Sequence, residues 1–177
     1  ILGEQEFWSL PLKVNRHTLI PRPETELLVE LALGLSSLER QDVQPVSVLD
    51  LGTGTGAISL ALKSERAHWQ IVAADFSQEA LAVAKYNSKS LQLAVDFFWS
   101  DWFSHVPPQS FDLIVSNPPY IDKTDKHLGE GDVRFEPDSA LIAEDHGYGD
   151  IKKICQQALD YLAPGALLML EHGFEQG

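Results

Sequence analysis

Cysteine is almost missing from this chain. Cys155 is the only one, so no internal disulfide can form, and one thiol with six scattered histidines (His17, His68, His105, His127, His146, His172) offers no metal-ligand spacing. This favours a reducing compartment and no structural metal. Basic residues are scarce too, 13 against 26 acidic ones, and the net charge of −13 repels a phosphate backbone rather than collecting one. A general nucleic-acid binder is therefore disfavoured. No apolar run approaches the roughly 20 residues a membrane span needs, and residues 1 to 20 lack the basic start and apolar middle of a signal peptide. The chain reads as cytoplasmic. What it does have is a core: 44% of its 177 residues are hydrophobic, enough for one domain to close over. It begins at Ile1 rather than Met and stops at Gly177, soon after an apolar run from Gly165 to Glu171 that looks like an interior strand, so a piece of a longer protein is expected.

Between residues 7 and 20, Leu10, Leu12 and Val14 alternate, Asn15-Arg16 follows, and Leu19-Ile20 forms a second short apolar stretch, a pattern compatible with a hairpin. Pro23, followed by Glu24, Thr25 and Glu26, marks a helix start with acids near the positive end of the dipole. Leu27, Leu28, Leu31, Leu35 and Leu38 then recur at helical spacing. From Val46 onward strand and helix alternate. Strands are expected at 46–51, 70–74, 95–99, 111–116 and 166–171, and helices at 57–64, 78–88 and 150–162. Continuous apolar strands separated by helices imply an α/β fold, a mostly parallel sheet with helices on both faces. Residues 121 to 149 are long, rich in Asp and Gly and without period, as functional or mobile loops are.

Two constellations carry chemistry. Asp50-Leu51-Gly52-Thr53-Gly54-Thr55-Gly56-Ala57 follows a predicted buried strand and opens a helix, placing a glycine turn where backbone approaches a ligand closely. Gly52, Gly54 and Ala57 also satisfy the dinucleotide fingerprint, so two cofactor classes compete. Asp50 discriminates between them. A carboxylate at the strand's end repels a pyrophosphate but attracts a cation such as the amino group of S-adenosylmethionine. Asp75 ends the second strand, where an acid accepts hydrogen bonds from ribose hydroxyls of either cofactor. Asp101-Trp102 follows the third strand; the indole either packs on adenine or fills core space beside Phe97 and Phe98.

Asn117-Pro118-Pro119-Tyr120 comes directly after the predicted strand 111–116, outside a carboxyl end, where ligands sit in open α/β sheets. The prolines fix two φ angles and remove two N–H donors, leaving a stiff edge of carbonyl acceptors. The Asn117 side-chain oxygen and the Pro118 carbonyl thus make a rigid acceptor pair suited to an –NH₂ group. Such a nitrogen is a poor nucleophile while its lone pair is delocalised. Accepting both N–H bonds, with the lone pair aimed at an electrophilic methyl, favours the near-attack geometry, and Tyr120 can stack on the planar group. The plain alternative is a Pro-Pro turn that merely ends a strand.

Asp50 to Gly56, then Asp75, then Asn117 to Tyr120, resembles the class I S-adenosylmethionine-dependent methyltransferases that modify planar amino groups. The tetrapeptide occurs both in adenine-N6 DNA methyltransferases and in protein methyltransferases acting on glutamine. His17 to Glu26, Phe135-Glu136-Pro137 with Ala140-Leu141, and Gly147 to Asp150 are similar to segments of the release-factor glutamine methyltransferases, the PrmC/HemK type. That resemblance implies a Rossmann-like domain and N5-methylation of the glutamine in the Gly-Gly-Gln tripeptide of peptide chain release factors, with S-adenosylhomocysteine as coproduct. It assigns Asn117 and Pro118 to the glutamine amide, Pro119 and Tyr120 to its pocket, and Gly52, Thr53, Gly54, Thr55, Gly56, Asp75 and Trp102, with Asp50 and Asn117, to the cofactor. It also implies that residues 1–22 lead out of an N-terminal helical domain, that 23–177 are the methyltransferase domain, and that a final strand pair follows elsewhere.

Other residues read more plainly. Cys155 falls with Ile151, Ile154, Ala158, Leu159 and Leu162 on an apolar helix face and is expected in the core. Arg22 is either a substrate or loop contact or a salt-bridged arginine, and Glu171-His172, ending the last strand, is at most a helper in positioning. Against the glutamine methyltransferase stand three other readings: an adenine-N6 nucleic-acid methyltransferase, which the charge opposes; a silent nucleoside-binding module; and an NAD-dependent oxidoreductase, in which Asp50 and Asn117 to Tyr120 have no task.

Overall fold

Strand and helix alternate in the computed structural model, which describes residues 3–35, 38, 45–124 and 136–176. A hairpin does open the chain, but earlier than expected: β1 (Glu4–Phe7) pairs antiparallel with β2 (Leu10–Lys13). The two residues between them, Trp8 and Ser9, both take positive φ (52° and 59°), the two-residue turn whose twist matches the strands. Leu19-Ile20 is not a strand; the Ile20 N–H donates instead to Glu136 Oε1 at 2.9 Å. A 3-10 turn over Pro23–Thr25 leads into α1 (Glu26–Leu33). Its buried face is Leu28, Val29 and Ala32, while Leu27 and Leu31 stand 58% and 52% exposed. The leucine spacing therefore marked the helix but overran its end, since α1 stops at Leu33, before Leu35 and Leu38.

Then follow β3 (Ser47–Leu51), α2 (Ala57–Glu65), β4 (Gln70–Asp75), α3 (Gln78–Leu91), β5 (Asp96–Trp99), β6 (Phe111–Ser116), β7 (Ile121–Asp122), β8 (Ile142–Ala143), α4 (Gly149–Ala158) and β9 (Leu162–Leu170). Among the described residues one five-stranded sheet runs in the order β5-β4-β3-β6-β9, every neighbour parallel. Alternate residues of its central strands feed two cores. Val48, Leu113 and Val115 pack with α1, α2 and the hairpin's Phe7 and Leu12, while Leu49, Leu51 and Ile114 pack with Ile154 and Ala158 of α4 and with Phe103 and Val106. Fully enclosed side chains such as Leu49, Leu60 and Leu113 each contribute roughly 1.5–3 kcal/mol by leaving water.

The last helix and strand differ from expectation. The helix stops at Ala158 and β9 begins at Leu162, because the Phe111 N–H donates to the Tyr161 carbonyl and Leu162 pairs with Phe111, with an irregularity before Leu113 meets Leu167. That pairing overrides the helical pattern through 159–162. Cys155 is a second correction: it is exposed, as is Leu159 at 77%, because α4 buries only the narrow stripe of Ile154 and Ala158 against the outermost strand. Within 121–149, β7 and β8 form a two-residue parallel pair. Phe135 and His127 lie outside the described residues.

Candidate active site

The chain leaves β3 toward β4 on one side and leaves β6 toward β9 on the other, so the carboxyl ends of β3 and β6 flank the point where strand order reverses. Side chains there meet a crevice rather than a covering helix. A cavity of about 310 Å³ occupies it. Its walls are the turn Gly52 to Thr55, Asp75 to Ser77, Asp101-Trp102, Asn117 and Pro119, roofed by His17 to Leu19, Pro21-Arg22 and Pro137, Ser139 and Ala140.

The turn is shaped by close approach. Gly52 has φ +68°, and its missing Cβ would lie 3.6 Å from the Trp102 ring. Gly56, at φ +83°, would meet Leu60 of α2 at 3.1 Å, so the helix starts pressed onto the turn. Thr53 and Thr55 are buried, and the Gly54 N–H donates to Asp75 Oδ2 at 2.8 Å. Asp75 Oδ1 accepts from the Ser77 N–H at 2.8 Å. Each oxygen keeps a further lone pair, and the carboxylate walls the cavity. Burial raises its pKa, opposed by those N–H donors.

Asp50 sits elsewhere. It is wholly buried under the turn and is not part of the cavity wall; Oδ2 accepts from Thr53 Oγ1 at 2.6 Å while Oδ1 has no hydrogen-bond partner. Burial pushes its carboxyl up to about 6, against the hydrogen bonds of Thr53 and Ser59. Trp102 stands between the two sequence readings of it: one face walls the cavity over Gly52, the ring packs on the second core, and Nε1 donates to Asp150 Oδ1 at 3.2 Å.

At the end of β6, Asn117 reaches the same cavity, and its Nδ2 donates to Thr25 Oγ1 at 3.1 Å. The amide is thereby oriented with its oxygen left over. Pro118 is buried and Tyr120 half-buried, and neither belongs to the wall of this cavity. The Tyr120 hydroxyl donates to Glu171 Oε1 at 3.2 Å, and burial, then the charge of Glu171, push the phenol up to about 12.

Sequence reasoning missed four residues. Thr25 lay inside a quoted segment without a role, and Glu136 likewise; only the fold brings them to Asn117 and Arg22. Phe76, 64% exposed at the cavity directly after Asp75, had a readable signal, a large apolar residue at a strand's carboxyl end. Gln176 had none. Among the described residues no three His, Cys, Asp or Glu side chains are grouped to hold a metal ion, and no helix is long and apolar enough to cross a membrane.

A parallel sheet in this order, with a glycine turn, a strand-end acid and the Asn117 to Tyr120 tetrapeptide around one crevice, has the Rossmann-like architecture of the class I methyltransferases. The fold matches that of a methyltransferase from Pyrococcus furiosus (TM-score 0.64, 19% identity, 91% of this chain and 68% of that one) and of an S-adenosylmethionine-dependent methyltransferase from Agrobacterium tumefaciens (TM-score 0.64, 20% identity, 97% and 50%). The family model of the methyltransferase small domain matches residues 31–132, more than half of the chain, and the chain belongs to that family. Among curated proteins it is 60% identical to the release factor glutamine methyltransferase of Shewanella oneidensis over 99% of this chain, and 52% identical to that of Escherichia coli K12 over all of it. It spans 60% and 62% of those relatives' lengths.

Proposed function

We propose that this chain is the catalytic part of a protein that moves a methyl group from S-adenosylmethionine to the side-chain amide N5 of the glutamine in the Gly-Gly-Gln tripeptide of release factors. The carrying observation is the Asn117 amide, which lines a nucleoside-sized crevice and is tied by its nitrogen to Thr25, leaving its oxygen to accept from a second amide. The similarity to the two relatives supports the choice of glutamine.

The residues present fit the cofactor. Asp75 offers carboxylate lone pairs to ribose hydroxyls, Gly54 leaves open space where a Cβ would stand, and Phe76 and Trp102 present apolar faces for adenine. When bound, the cofactor supplies an electrophilic methyl on a sulfonium. The chain then orients the nucleophile. Asn117 Oδ1 and the Pro118 carbonyl would accept the two N–H bonds of the glutamine amide and so orient its lone pair for attack on the methyl that the cofactor would supply. As positive charge develops on nitrogen, the same two carbonyl dipoles would stabilise it, the Asn117 amide being held by Thr25 and the Pro118 backbone by the proline rings. No base is required before transfer; the methylated nitrogen would release one proton to water afterwards, leaving the neutral N5-methyl amide. Asp50 contributes from below, as a buried charge that stiffens the turn through Thr53.

Residues 1–22 would lead from an N-terminal helical domain into the methyltransferase domain of 23–177, on whose core the hairpin's Phe7 and Leu12 pack, and the protein would work in the cytoplasm. The test is intact mass spectrometry of a release factor made without its own methyltransferase, incubated with the protein and S-adenosylmethionine. A single added methyl on the Gly-Gly-Gln glutamine, lost in Asn117→Ala, supports the reading; methyl incorporated into DNA or RNA instead overturns it.

A further inference from the structure

Tyr120 is gripped at both ends by residues to which the transfer chemistry gives no task. Its hydroxyl donates to Glu171 Oε1 at 3.2 Å, and its carbonyl accepts from Gln176 Nε2, also at 3.2 Å. Gln176 is itself fixed, its Oε1 accepting from the Gly173 N–H at 2.7 Å. The Glu171 N–H donates to the Ser116 carbonyl at 3.0 Å, so the carboxylate is referenced to the strand end that also carries Asn117. Gly147 closes the remaining side, where a Cβ would fall 2.2 Å from the Tyr120 oxygen.

Glu171 is costly for so simple a contact. Its Oε2 is buried without a hydrogen-bond partner, a state that a neutral acceptor would spare the fold. The arrangement makes sense if the charge serves the phenol. We propose that Glu171 and Gln176 form a two-point clamp on Tyr120, with Glu171 a positioning residue that acts through the phenol to hold the ring at the amide site. The ring then keeps one place while the substrate amide enters, and the phenol stays neutral and donating, consistent with its raised pKa. For the identity of the amide, this inference rests on the function proposed above.

The experiment compares the parent, Glu171→Gln, Tyr120→Phe and the double variant in the full-length protein. In Glu171→Gln, kcat for methyl transfer should fall about tenfold with cofactor Kd unchanged, and the loss should vanish in the Tyr120→Phe background. Independently of any substrate, ¹³C NMR of labelled tyrosine should show Tyr120 still a phenol at pH 11 in the parent and ionising about one pH unit earlier in Glu171→Gln. If the parent methylates no release factor, the functional reading fails while the titration still tests the clamp. A Glu171→Gln loss that persists undiminished in Tyr120→Phe, or an unmoved titration, overturns the clamp.

Discussion

Arg22 and Glu136 are separated by 114 positions in the chain, yet the guanidinium meets the carboxylate at 2.6 Å. The Glu136 side chain is fully enclosed, and its other oxygen accepts from the Ile20 N–H at 2.9 Å. One buried carboxylate thus ties the segment His17 to Arg22 to the segment Pro137 to Ala140, and both roof the cavity. Glu136→Ala should lower stability in urea by about 3 kcal/mol, the scale of breaking a buried charged pair, and weaken cofactor binding by about tenfold as the roof loosens. An unchanged unfolding midpoint would contradict the role given to this pair.

Thr25 should matter through Asn117 alone. Thr25→Val removes the hydroxyl that accepts from Nδ2 while keeping the side chain's shape, so the amide is free to turn. Methyl transfer is expected to fall about tenfold with cofactor Kd unchanged, and Thr25→Ser should restore most of it. Equal loss in both variants would assign Thr25 to packing.

Phe76 is expected to bind rather than to stabilise. Being largely exposed, it contributes little to the core, and Phe76→Ala should leave the melting temperature within a degree or two while weakening S-adenosylhomocysteine about five- to thirtyfold, the ~1–2 kcal/mol of an aromatic stack. Calorimetric titration measures it directly.

Asp50 sets a pH dependence with a definite sign. Its folded pKa, about 6, lies above the ordinary 3.8, so between these values the folded chain keeps a proton that the unfolded chain has lost. The corresponding stability is full below pH 3.8 and is lost as pH rises through about 6, on the order of 3 kcal/mol. Asp75 shifts in the same direction. Asp50→Asn should flatten the urea midpoint between pH 4 and 7 and raise it at pH 7; a slope equal to the parent's would refute the assignment.

Gly147→Ala should disturb Tyr120 more than any surface change does. The added Cβ meets backbone at 2.2 Å from a residue already at φ +87°, so a loss of at least about 2 kcal/mol is expected, together with loss of methyl transfer. Retained transfer at parental rate would show that Tyr120 tolerates displacement.

The sequence by itself determined the parallel sheet, the glycine turn, Asp75 and the Asn117 to Tyr120 tetrapeptide, because these depend on local rules: apolar runs bounded by turns, glycines where φ is positive, prolines that remove donors. Position along the chain then sufficed to put each at a strand's carboxyl end. It did not determine which leucines of α1 are buried, where α4 yields to β9, or that Cys155 faces outward, since these follow from what each element packs against. Nor could spacing place Asp50 beneath the turn rather than in the cavity. Thr25 beside Asn117, Glu136 under Arg22, and Glu171 and Gln176 on Tyr120 are contacts between residues 50 to 115 positions apart, closed by the strand order of the sheet. Only the tertiary structure decides such pairs, because a hydrogen bond at 3 Å is set by where whole elements dock and leaves no periodic trace in the chain.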